Sequence, residues 1–157
     1  MDSTLCKLGI SSPSKCFCCV QANGETLDHV FCSGQGAVSI WNFFGSASGV
    51  LNSGGSVRAY IAGWWYSAPR NGFIAFVHFI RPSLICWNIW KSRNLACFEG
   101  KLLSHVTISE FVFDNVKDLF RLQFPGYPFT SSTWMEFYSS LSYIHKKVSF
   151  MIVRWCR

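Results

Sequence analysis

Residues 107 to 123 carry the clearest periodic signal. Ile108, Phe111, Val112, Val116, Leu119 and Phe120 recur three and four apart, with Glu110, Asp114, Asn115, Lys117 and Asp118 between them. That spacing places the apolar set on one face of a helix. Thr107 with Glu110 three residues on reads as a capping box at its start, and Phe124-Pro125-Gly126 ends it. Upstream, Val38, Ile40, Trp41 and Phe44 predict a helix beginning near Ala37. The stretch from Gly45 to Gly55 is rich in Gly and Ser and reads as a connector. A second helix is predicted over Val57 to Ser67, stopping before Pro69-Arg70-Asn71-Gly72. Helical spacing resumes from Phe73 to Asn94, with a kink or break expected near Pro82. Its second half, Leu84 to Phe98, carries Trp87 and Trp90, with Lys91 and Arg93 near its end. Tyr127 to Thr133 reads as loop. Val148 to Trp155 is β-branched and aromatic, which predicts a short strand. A single strand leaves its ladder unpaired, so the pattern predicts a chain that continues into a longer protein. The fold class expected is mainly α, with a small helical knuckle domain, amphipathic helices after it and a short C-terminal strand.

Composition sharpens this picture. The 157 residues suit one domain or two small ones. Half are apolar and only 14% are charged, against about a quarter in ordinary soluble domains, so some apolar surface is expected to be buried against another body. The net charge of +6 favours phosphate backbones or anionic surfaces. The 14 Lys and Arg are scattered, however, and only Lys146 and Lys147 are adjacent, so a solvated surface explains them equally well. Lys91 and Arg93 are the candidate phosphate contacts, a solvated helix end being the alternative. The run Phe73 to Ile80 is short beside the ~20 residues that cross a bilayer, and Arg81-Pro82 follows it at once. A buried helix pair is expected there, with a small membrane-associated protein as a competing reading.

The chemistry sits near the N-terminus. Cys16, Cys19, His29 and Cys32 follow the spacing Cys-x2-Cys-x9-His-x2-Cys. Two thiolates separated by two residues grip one ion from a single turn, and zinc takes four such soft or borderline ligands. No apolar segment opens the chain and no Asn-x-Ser/Thr sequon occurs. Reduced thiols in an intracellular compartment, nuclear or cytoplasmic, are therefore expected, and a Cys/His cluster there reads as metal-binding before disulfide. The competing reading is a set of buried thiols and a capping histidine. Phe31 and Trp41 read as core residues rather than base-stacking platforms. Cys86, Cys97 and Cys156 read as small core residues, and His78, His105 and His145 as structural or exposed.

Together, Cys16-x2-Cys19, Glu25-Thr26-x2-His29-Val30-Phe31 and Ala37-x3-Trp41-x-Phe43-Phe44 resemble the reverse-transcriptase zinc-binding domain of plant non-LTR (LINE-type) retrotransposon polyproteins. Ile85-Cys86-Trp87-Asn88-Ile89-Trp90-Lys91-Ser92-Arg93-Asn94 and Phe98-Glu99-Gly100 resemble the helix and turn that follow in those proteins. Val153 to Arg157 resembles the linker strand before their ribonuclease H domain. The resemblance implies a lead-in over 1–13, the zinc-binding domain over 14–100, an amphipathic helix over 101–126, and over 127–157 a linker and strand leading to an absent ribonuclease H. It implies zinc held by Cys16, Cys19 and His29. The family's fourth ligand position falls on Gly34; Cys32, two residues earlier, is the nearest substitute, with Cys18 a weaker one. Implied partners are RNA or DNA and the neighbouring polymerase and nuclease domains of the parent polyprotein.

An enzyme is not expected. Polymerase and ribonuclease H chemistry needs clustered carboxylates for two metals, and the chain has four Asp and four Glu with no Asp-Asp pair. A zinc deaminase needs His-x-Glu with Pro-Cys-x2-Cys; neither occurs. Ala47 holds the centre of Gly45-Ser46-Ala47-Ser48-Gly49, so that stretch offers no nucleophile. Gly54 and Gly55 are not followed by Lys-Ser/Thr, so there is no phosphate-binding loop. The expected function is a non-catalytic zinc-binding module that holds nucleic acid or braces its neighbours. A vestigial retroelement fragment without independent activity is the alternative.

Overall fold

A computed structural model describes residues 7–9, 16, 19, 24–50, 55–70 and 72–142. Among these the chain is mainly α-helical and contains no strand. A π-helical turn, His29–Ser33, leads into α1, Gln35–Ser48. α2 follows at Val57–Tyr66, α3 at Gly72–Glu99 and α4 at His105–Gln123. A further helical segment, α5, occupies 134–142. The predicted strand, Cys18 and Cys156 lie outside the described residues.

α3 is the spine. Ile74, Val77, His78, Arg81, Ile85, Asn88, Ile89, Ser92 and Ala96 are buried along it, three or four apart from end to end. The expected break at Pro82 does not occur, and the helix runs unbroken through it. A mid-helix proline costs about 3 kcal/mol, but burying one large aliphatic side chain returns ~1.5–3 kcal/mol. Val77, Ile85 and Ile89 bury on both sides of Pro82 in one register, which offsets the cost of continuing the helix. At the far end Gly100 adopts a left-handed φ of 65°, and the Lys101 N–H donates to the Leu95 carbonyl over 3.3 Å. That closure favours glycine, and it explains the Phe98-Glu99-Gly100 turn.

α4 packs along α3 and also meets α1. Its start differs from the reading of Thr107 as cap. Ser104 is the N-cap, its Oγ accepting from the Thr107 N–H at 3.0 Å. The buried stripe of α4 is Ile108, Val112, Phe113, Val116 and Phe120, whereas Phe111 and Leu119 are exposed. One core joins all of these elements, from Cys32 to Leu141. α5 belongs to it through Trp134, Phe137 and Leu141, where the sequence suggested only linker.

Arg81 lies fully buried in an aromatic cage. Its guanidinium carbon sits 4.3 Å from the ring centre of Trp64 and 4.0 Å from that of Trp134, with Tyr138 at 5.4 Å and Phe44 at 5.9 Å. Beside it, His78 Nε2 and the Tyr138 hydroxyl share a 2.7 Å hydrogen bond. Burial first, and the Arg81 charge second, press the His78 pKa down to about 4. α3 is the one helix among the described residues long and apolar enough to cross a membrane. Its Arg81, His78 and Asn88 are buried within the protein.

Candidate metal centre

Glu25, Thr26 and Asp28 each have a structural task. Glu25 is buried and receives a forked ion pair from Arg93 of α3, Nη2 to Oε1 at 2.6 Å and Nε to Oε2 at 3.2 Å. The Thr26 hydroxyl accepts from the His29 N–H at 3.0 Å. An Asp28 carboxylate oxygen accepts from the Val57 N–H at 3.0 Å and so satisfies an open donor at the start of α2. These bonds fix the π-turn against two helices and aim His29 at the thiols.

The outcome is convergence. Donor atoms of Cys16, Cys19 and His29 all lie within 4.8 Å of one another, and Cys19 Sγ is 3.2 Å from His29 Nε2. Around zinc, Zn–S of ~2.3 Å and Zn–N of ~2.0 Å set a tetrahedral S···N edge of about 3.5 Å. The pair is therefore already near ligand spacing, and this cluster can hold a metal ion. Cys16 is buried and Cys19 half-buried. Burial raises the Cys19 pKa, and the neighbouring Cys16 thiol raises it further, while the backbone N–H of Gln35 at the start of α1 opposes both. A dication supplies the charge that turns both thiols into thiolates, so binding releases protons.

Gly34 borders this cluster. A Cβ built on Gly34 stands 3.8 Å from Cys19 Sγ and 3.7 Å from His29 Nε2. The same Cβ falls 2.8 Å from the His29 carbonyl oxygen. That oxygen accepts the Gly34 N–H at 2.7 Å. The turn thus closes more tightly than a side chain there permits, although φ of −64° suits any residue.

Cys32 does not join the cluster. It is 1% exposed and faces the core. Burial, with smaller contributions from Cys86 and Asp28, pushes its pKa up to about 12. The π-turn explains the outcome, because His29 and Cys32 leave it toward different surroundings. Cys32 is a core thiol, as is half-buried Cys86, whose pKa burial raises to about 11.

The two candidate phosphate contacts differ. Arg93 is engaged by Glu25 and ties the turn to α3. Lys91 lies 5.8 Å from the ring centre of Trp87, which stacks on Trp90 at 5.1 Å and is half exposed. Trp41 is fully buried, its Nε1 donating to the Phe31 carbonyl at 2.7 Å, so both serve the core side of the turn. The sequence reading missed two features. The Glu25–Arg93 pair joins residues far apart in the chain, and His105, exposed as the sequence suggests, also lines the cavity shared by Cys16, Cys19, His29 and Gly34.

No protein-family model matches this chain, and no curated protein or solved structure matches it.

Proposed function

We propose that the chain is a non-catalytic zinc-binding module, of the kind found between the polymerase and ribonuclease H of plant LINE-type retrotransposon polyproteins, that braces neighbouring domains or holds nucleic acid. The observation carrying this reading is the meeting of Cys16, Cys19 and His29 donors within 4.8 Å. Two thiols and an imidazole fit zinc, which would fix the segment bearing Cys16 and Cys19 onto the π-turn through His29. The ion has a structural task here, and no clustered carboxylates accompany it among the described residues.

The nucleic-acid part of the reading rests on the +6 charge and on exposed Trp87, which stacks on half-buried Trp90 with Lys91 alongside. Base stacking on such rings is worth about 1–3 kcal/mol per base. The test has two arms on the full chain. A chelator should lower helicity, since metal and fold are coupled. Affinity for single-stranded RNA should fall steeply as salt rises, because phosphate contacts release counterions. Unchanged helicity argues against the metal reading, and salt-insensitive binding argues against phosphate contact. Gly34, which offers no donor, favours a second reading, a vestigial fragment of such a polyprotein; failure of both arms would support it.

A further inference from the structure

The cluster supplies three donors, and tetrahedral zinc takes four. Gly34 contributes none. The cavity in which the three meet is small, about 50 Å³, and its lining also includes Ser92 and His105. These are the other lining side chains that carry a donor. Ser92 is 3% exposed, and a neutral hydroxyl is a poor zinc ligand beside an imidazole. His105 is the first residue of α4, exposed, and its imidazole has no hydrogen-bond partner among the described residues.

We propose that His105 closes the metal centre as its fourth ligand, standing in for the donor that position 34 lacks. The inference rests on the metal reading above. Two thiolates and two neutral imidazoles around a dication give a site of zero net charge, which suits the mostly apolar walls formed by Val30, Ala37, Ile40, Ile89 and Ile108. The ion then links the Cys16/Cys19 segment and the π-turn to the start of α4. His105 stands outside the set of donors that lie within 4.8 Å of one another, so ligation requires its side chain to swing into the cavity it borders, while the helix keeps its Ser104 cap.

The test compares full-length wild type, His105→Ala and His105→Cys, loaded with zinc or cobalt(II). Alanine suits the start of a helix, so the first variant should fold. Zinc affinity, measured by competition with a chromogenic chelator, should fall about tenfold or more in His105→Ala, since even groups that only support a ligand cost 10–100-fold when lost. X-ray absorption should count two imidazoles on zinc in wild type and one in His105→Ala. In His105→Cys, affinity should recover, and thiolate-to-cobalt charge transfer should rise from a two-sulfur to a three-sulfur intensity. Wild type that binds zinc through one imidazole, with equal affinity in His105→Ala, overturns the proposal and leaves the metal reading standing. Wild type that binds no metal overturns both.

Discussion

At the residue scale, the turn before α1 depends on a charge pair that the sequence does not advertise. The Glu25 side chain is 2% exposed and that of Arg93 15%, so neither charge is well hydrated. Removing Arg93 strands the buried Glu25 carboxylate, and a stranded buried charge costs about 3–5 kcal/mol. Arg93→Met should therefore lower unfolding free energy by ~3 kcal/mol and weaken metal binding along with it. Urea melts of Glu25→Gln, Arg93→Met and the double variant measure this. The double variant should recover part of the loss, whereas strictly additive single effects would show that the pair is not coupled. The Cys16, Cys19 and His29 cluster, which could hold a metal ion, was legible in the sequence because two cysteines two residues apart lie within one turn. The Glu25–Arg93 pair was not visible, because it depends on how α3 lies across the turn.

At the scale of elements, α3 shows where periodicity outweighs local signals. Pro82 predicted a break, yet the buried stripe keeps its register across it. In α4 the pattern gave the helix but rotated its face, taking Phe111 and Leu119 inward where Phe113 is buried. Aromatic residues at 111 and 113 lie on different sides of the helix, and only the packed partners Phe129, Trp134 and Phe137 decide between them. α5 was not read from sequence because its buried residues, Trp134, Phe137 and Leu141, give too short a run to fix a period. The His78 site carries a pH dependence. Its imidazole titrates near 6.5 when unfolded and near 4 when folded. Between those values the unfolded chain binds the additional proton, so stability is complete above 6.5 and falls as pH drops toward about 4. The shift corresponds to about 3 kcal/mol at most. Urea midpoints from pH 7 to 4 should fall more steeply in wild type than in His78→Gln. Equal slopes would assign the acid sensitivity elsewhere.

At the scale of the whole molecule, the mainly helical class followed from apolar spacing, and the structure bears it out. The core, however, is continuous from Cys32 to Leu141. The described part of the 127–157 stretch thus shares a core with α1, α3 and α4, although its polar loop residues resembled a linker. Burial also changes how individual charges are used. Arg93 reads as basic surface in the sequence and serves as an ion-pair partner in the fold. Arg81 reads as an interruption of an apolar run and sits among aromatic faces. Its desolvation is offset in part by those rings, since a desolvated cation–π contact is worth about 2 kcal/mol.

Zinc stoichiometry of the full chain, purified without chelator and set beside Cys16→Ser, tests the central claim most directly. The account predicts close to one zinc per wild-type chain, with metal content and helicity both reduced in Cys16→Ser. A wild-type protein that holds no zinc and keeps the same helicity as the variant would contradict it.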